Sequence, residues 1–136
     1  MMQVFSWPVR VYYEDSDAAG VVYYANYLKF MERARTEWLR ALGFEQTALS
    51  REHGVVFVVR ALTIEFLQPA RFDDRLEIAV EFTGARGSLI ELAQAVRRGE
   101  ETLVTASVKV ACVNTRSFKP VRIPKPVTEK LAARQR

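Results

Sequence analysis

Tyr24-Ala25-Asn26-Tyr27-Leu28-Lys29-Phe30-Met31-Glu32-Arg33-Ala34-Arg35-Thr36-Glu37-Trp38-Leu39-Arg40-Ala41-Leu42-Gly43 is the stretch that decides the fold, because it carries a sustained helical period. Leu28, Met31, Arg35, Trp38, Leu39 and Leu42 fall near i, i+3, i+4, i+7 spacing, and Phe30, Ala34 and Ala41 widen the apolar stripe. A stripe that broad calls for more than one-sided cover. The spacing predicts a helix from about Tyr24 to Leu42, with Gly43 as a left-handed C-cap and Arg40 complementing the helix dipole. Downstream, from Val55, the period changes to two. Leu62, Ile64 and Phe66 alternate with Thr63 and Glu65, and Leu76, Ile78, Val80 and Phe82 alternate with Glu77 and Glu81. Pro69 and Asp73-Asp74 separate these strands, and Gly84 to Gly87 reads as the next turn. Arg98-Gly99-Glu100-Glu101 divides Leu89–Val96 from Leu103–Val113, whose end is apolar on both sides and so central or covered. Upstream, Val9–Tyr13 is a short β-prone run. Pro120, Pro124 and Pro126 interrupt regular structure near the C-terminus, where Thr128 is placed to cap a short helix through Arg134. One helix followed by successive strands defines an α+β domain with antiparallel meanders, not an alternating βαβ sheet.

Between the first strand and the helix lies Tyr13-Glu14-Asp15-Ser16-Asp17-Ala18-Ala19-Gly20-Val21-Val22-Tyr23, an acidic turn with a glycine. A helix start carries unpaired N–H groups and roughly half a positive charge, so it polarises a carbonyl beside it. A carboxylate nearby then serves to attack that carbonyl or to activate water. Gly20 suits a positive φ or close approach of a substrate to the backbone. Acidic residues before a helix also act as turn formers, the plainer reading for Glu14 and Asp15.

With 136 residues, the chain has the size of one domain with one sizeable core. Hydrophobic residues at 49% and charged residues at 26% argue against wholesale disorder and against membrane insertion. No apolar run approaches the roughly 18 residues of a membrane span, and residues 1–8 lack a signal-peptide pattern, so a cytoplasmic location is expected. Cys112 is the sole cysteine, which excludes an intrachain disulfide, and its apolar run reads as burial of an inert thiol. The net charge of +4 suits an anionic partner. No zinc-ligand spacing or aromatic-basic interleaving points to nucleic acid; a phosphate-bearing ligand or an acidic carrier protein suits that charge. His53 stands alone in Glu52-His53-Gly54 and reads as a surface-loop residue.

Val9–Tyr23 with Asn26-Tyr27, Glu32–Glu37, Phe57–Arg60, Pro69–Asp74 and Lys119-Pro120 together resemble the hotdog acyl-CoA thioesterases of the 4-hydroxybenzoyl-CoA thioesterase family, most of all the Tol-Pal-associated (YbgC) subgroup. The resemblance covers nearly the whole chain, residues 1–136, as a single domain. It implies an antiparallel sheet of about five strands wrapped around one long central helix. It also implies hydrolysis of a small or medium acyl-CoA to free acid and CoA. Asp17 matches the family's catalytic carboxylate, acting as nucleophile or as base, and Tyr24 marks the helix start whose amide polarises the thioester carbonyl. Arg86, with Ser88, resembles the basic turn that meets the nucleotide end of CoA, with Arg60 and Arg71 as alternatives. No metal or organic cofactor is called for. Many subgroup members have histidine where this chain has Tyr24, whose neutral phenol is a poor base at pH 7. Glu37 on the helix is a reserve carboxylate, because some hotdog thioesterases draw theirs from that element. The resemblance implies a second copy of the chain as partner, in a homodimer or homotetramer, and the basic charge also suits an acyl carrier protein. The competing reading is a non-catalytic acyl-CoA or acyl-carrier-protein binder linked to the cell envelope. A hotdog hydratase is disfavoured, since it needs an imidazole and His53 lies outside the motif.

Overall fold

The computed structural model describes residues 4–134. In chain order they form β1 (Val4–Arg10), a single 3-10 turn (Tyr13–Asp15), α1 (Asn26–Ala41), α2 (Gln46–His53), β2 (Val55–Phe66), β3 (Arg75–Arg86), β4 (Leu89–Arg98), β5 (Glu101–Asn114) and α3 (Lys125–Arg134). The strands make one antiparallel sheet in the order β1-β3-β4-β5-β2. β3, β4 and β5 form the expected meander, and its turns use Gly87 at φ 64° and Gly99 at φ 61°, conformations that a Cβ would strain.

Period-two alternation puts Leu76, Ile78, Val80, Phe82, Leu92, Val96, Val104, Ala106, Val108 and Val110 into the core, where they meet Phe30, Met31, Ala34, Trp38 and Leu39 of α1. A polar strut crosses this contact. Buried Gln94 on β4 donates to the Met31 carbonyl at 3.1 Å and accepts from Arg35 at 3.0 Å, fixing the helix against the sheet. Ala111 and Val113 are buried because residues 120–123 return over the end of β5: Pro120 bridges Val113, and Val121 N–H donates to the Cys112 carbonyl at 2.9 Å. Cys112 is buried, and desolvation pushes its thiol up to about 11.

Several boundaries differ from the sequence reading. β1 lies five residues earlier than Val9, with Pro8 inside it, and it is an edge strand, where a missing N–H is tolerated. Gly84 belongs to β3, next to a register shift after Phe82, and the turn itself falls at Gly87. The helix begins at Asn26, leaving Tyr24 in the turn before it. Its apolar stripe is covered less fully than expected, with Leu28 exposed. α2 was not expected; it ends in Gly54 at φ 67° and carries His53 in its last turn, exposed but not in a loop. α3 begins at Lys125, with Pro126 in the first turn, where its missing N–H costs nothing; Thr128 lies inside the helix and donates to the Lys125 carbonyl.

Candidate active site

The acidic segment folds into two linked turns. In the first, the Asp15 carboxylate accepts the Tyr12 N–H at 2.8 Å while the Asp15 N–H donates back to the Tyr12 carbonyl at 3.0 Å. Asp15 is therefore the support residue. In the second, Asp17 N–H donates to Val21 at 2.8 Å, Gly20 N–H returns to the Asp17 carbonyl at 3.0 Å, and Ser16 bridges Val22. Gly20 makes this possible with φ at 80°. The Asp17 side chain stands exposed at the tip, with Oδ1 taking the Ala19 N–H at 2.8 Å and Oδ2 without a protein partner among the described residues. Asp15 also ties this turn to the helix. Its carbonyl accepts the Tyr23 N–H at 2.9 Å and the side-chain amide of buried Asn26 at 3.0 Å.

The start of α1 is uncapped. Ala25 occupies the N-cap position with no side-chain hydrogen bond, and the first turn holds no acidic residue. Asn26, Tyr27 and Leu28 donate to the Tyr23, Tyr24 and Ala25 carbonyls, whereas the Tyr24 and Ala25 N–H groups have no acceptor among the described residues. The positive end of the helix thus has no side-chain cap and no acidic residue in its own first turn, which leaves its amides open to a ligand oxygen.

Beside it lies a cavity of about 240 Å³ lined by Val22, Tyr24, Tyr27, Phe66, Leu67, Gln68 and Pro69. Tyr24 is 61% exposed, and its ring meets Phe66 edge-on at 6.1 Å and Tyr23 at 5.0 Å, so the side chain forms part of an aromatic wall. Tyr27 is buried, and its hydroxyl accepts the Ala70 N–H at 3.0 Å. Burial raises its pKa above the ordinary tyrosine value. The Ala70 bond and Arg98 oppose that shift, while Asp74 and Asp17 reinforce it. Ala70 also accepts the Val22 N–H at 2.8 Å, joining the loop before β3 to the Asp17 turn.

Arg98 anchors that loop from the end of β4. Its guanidinium donates to the Pro69 carbonyl at 3.3 Å, Asp74 at 2.7 Å and Glu101 at 2.7 Å, and Asp74 also accepts the Arg71 N–H at 2.8 Å. Burial alone would raise the Asp74 carboxyl, but the Arg71 amide and the Arg98 guanidinium outweigh it and hold the group below the usual range. Tyr27, Ala70, Asp74 and Arg98 stand in the motifs and turns named from the sequence but carried no expected role in the site. Tyr27 lay inside a motif already singled out, yet its partner stands 43 residues away, beyond any local pattern.

Arg86 and Ser88 lie elsewhere. They flank Gly87 at the β3–β4 turn, and Arg86 lines a second groove of about 530 Å³ with Phe82, Arg122, Ile123, Lys125 and Thr128. That groove shares no lining residue with the cavity at Tyr24 and Tyr27. Three cations gather there, Arg86, Arg122 and Lys125; Ser88 does not line it, and its carbonyl accepts the Cys112 N–H at 2.7 Å. Of the alternatives, Arg60 is exposed on β2, and Arg71 forms a backbone bridge with Val21. Glu37 is held by Arg40 at 2.7 Å, which explains it without chemistry.

A five-stranded antiparallel sheet packed on one long helix is the hotdog arrangement of thioesterases, and residues 19–105 match the Thioesterase superfamily. The chain belongs to that family. It is 51% identical over 125 residues to the acyl-CoA thioester hydrolase YbgC of Escherichia coli O6:H1, covering 91% of this chain and 92% of that protein. It is 50% identical to the acyl-CoA thioesterase YbgC of Haemophilus influenzae, with 90% of each chain covered. Among solved structures, a probable thioesterase from Bartonella henselae superposes with a TM-score of 0.86 at 40% identity, covering 90% of this chain and 100% of that one.

Proposed function

We propose that this chain is an acyl-CoA thioesterase whose Asp17 carboxylate and uncapped α1 start act on the same thioester. The similarity to YbgC thioesterases supports the activity. The observation that carries the site is the tie between its two halves: the Asp15 carbonyl binds Tyr23 and Asn26, so the turn presenting Asp17 is fastened to the open amides of Tyr24 and Ala25. A thioester carbonyl is activated by poor donation from sulfur, and hydrolysis needs a base or nucleophile and a place for the oxyanion. As a base, Asp17 takes a proton from water while the water oxygen attacks the carbonyl carbon. As a nucleophile, it forms a mixed anhydride that water then cleaves, restoring the carboxylate. In both routes the helix amides hold the oxyanion formed on the thioester carbon, its collapse breaks the C–S bond, and water supplies the oxygen of the free acid and the proton of the CoA thiol. The anhydride route adds a second such oxyanion when water cleaves the anhydride.

The cavity favours a small or medium acyl group, since an apolar void of about 150 Å³ already takes a benzene ring and this one measures about 240 Å³. Arg86, Arg122 and Lys125 suit the phosphates of CoA, and the same basic groove would meet an acidic acyl carrier protein. We read the chain as a single thioesterase domain acting as a homodimer or homotetramer. β2 supports this: it is an edge strand of 12 residues with Val59, Leu62 and Phe66 exposed, a form that invites pairing with a second copy. A cytoplasmic location and a link to the Tol-Pal envelope system complete the proposal.

The test is thiol release from acetyl, butyryl, hexanoyl, palmitoyl and aromatic CoA esters by the native protein and by Asp17→Asn. The variant is expected to fold and to bind acyl-CoA while losing about 10²–10⁴ in kcat. Native-like turnover by folded Asp17→Asn would overturn the assignment of the residue. Purified native protein that binds acyl-CoA but releases no thiol would make it a binding partner, not an enzyme.

A further inference from the structure

Tyr27 occupies the second position of α1, and helical side chains tilt back toward the N-terminus. Its ring therefore runs toward the level of the open Tyr24 and Ala25 amides, packed against Phe30 at 6.2 Å and Phe66 at 5.7 Å. The hydroxyl is fixed by the Ala70 N–H, which occupies an oxygen lone pair and leaves the proton to be donated. Among the described residues that proton has no acceptor, although Tyr27 is only 3% exposed. A hydroxyl donor at the wall of a cavity, with its oxygen already bonded to Ala70, is open to a ligand that accepts its proton. Tyr27 lines the same cavity as Tyr24, beside the open start of α1, and the charge of Asp17 is the weakest of the fields acting on its phenol.

We propose that the Tyr27 hydroxyl is a further catalytic donor to the thioester oxygen, acting beside the α1 amides. This rests on the thioesterase reading of the Asp17 site. As water or Asp17 adds to the carbonyl carbon, the C=O pair moves onto oxygen and the phenol donates a hydrogen bond to it without giving up its proton. When the carbonyl re-forms and the C–S bond breaks, the bond relaxes. The Ala70 N–H polarises the phenol oxygen and makes it a better donor. A high phenol pKa keeps the proton in place during the reaction.

Tyr27→Phe removes the donor, and thiol-release kcat is expected to fall about 10²-fold, with KM changed little, since the bond matters most in the transition state. Because Tyr27→Phe also leaves the Ala70 N–H unpaired, a second variant carries 3,5-difluorotyrosine at position 27. It keeps the ring, the hydroxyl and the Ala70 bond but ionises at lower pH. As a phenolate it accepts the Ala70 N–H still better yet has nothing to donate, so kcat should fall as pH rises through its titration while the native protein keeps its rate. Asp17, Asp74 and Arg98, the charged groups acting on the phenol, are the same in both proteins, as are the other tyrosines, so a pH effect found in the difluorotyrosine protein alone belongs to position 27.

A difluorotyrosine profile identical to the native one refutes the proposal, and it does so even if Tyr27→Phe is inactive, since the role is then structural. Folded Tyr27→Phe with kcat within about twofold of native refutes it as well. An active Asp17→Asn control would instead remove the reading on which the proposal stands.

Discussion

Arg98→Leu tests how the loop under the site is held. The substitution keeps an aliphatic side chain at the end of β4 but deletes hydrogen bonds to Asp74, Glu101 and the Pro69 carbonyl. Hydrogen bonds to charged groups contribute about 1.5–3 kcal/mol when sheltered, and fully exposed ion pairs about 0.2–1 kcal/mol. Arg98 and Asp74 are 30% and 23% exposed, an intermediate case that solvent screens in part. The expected loss is about 1.5 kcal/mol, or about 6 °C in Tm at fixed protein concentration for a chain of this size. The sign of its pH dependence follows from Asp74, whose carboxyl is depressed in the folded state. Its contribution is present above the unfolded carboxyl pKa near 3.9 and is lost as pH falls through the lower folded value. Calorimetric scans of native and Arg98→Leu protein should therefore differ by a constant amount near neutrality and converge in strong acid. A Tm gap that persists unchanged through acid would falsify the ion-pair account. So would additivity of Arg98→Leu and Asp74→Ala, because paired side chains must couple. Since Ala70 lies between Pro69 and Asp74 and carries Tyr27 and Val22, the variant should also lose kcat at temperatures where it remains folded.

Arg86→Ala should raise KM for acyl-CoA about tenfold, the worth of one charged hydrogen bond, with kcat unchanged and a weaker salt dependence; equal KM values at low salt would separate the basic groove from CoA. Leu62→Lys places a charge on the β2 edge and should shift sedimentation toward monomer. A dimer of native stability in that variant would show that β2 is not the pairing edge.

How much the sequence disclosed depends on how far apart the partners stand. α1 was legible because Phe30, Met31, Ala34, Trp38 and Leu39 repeat at helical spacing and point to one core. β3 was legible through its alternation, and β5 showed the doubly covered end that residues 120–123 account for. α2 was missed because only Leu49 among its residues is buried, too little for a period to show. β1 was shifted because Pro8 reads as a breaker until the strand is known to lie at an edge. In the site, Asp17 and Tyr24 are near neighbours in the chain, so one local motif contained both. Ala70, Asp74 and Arg98 reach the same place only because the sheet brings the end of β4 beneath the loop before β3. The same holds for Arg122 and Lys125, which join Arg86 through the return of the C-terminal segment rather than through any spacing.

The exchange of histidine for Tyr24 looks different once its surroundings are known. A histidine there would offer a titratable imidazole beside the carboxylate, and its replacement speaks against a histidine-assisted mechanism. Yet the Tyr24 ring is spread over Phe66 and Tyr23, facing the aromatic wall, whereas the chemistry proposed for the position belongs to its backbone N–H. That amide is set by the turn preceding α1, which Asp15 fastens through Tyr23 and Asn26, none of which depends on the side chain at 24. The exchange therefore separates two functions carried by one residue. In the proposed mechanism the backbone keeps the oxyanion donor while the side chain is free to vary with the acyl group, and the polar help that an imidazole would give is assigned to the neighbouring phenol of Tyr27.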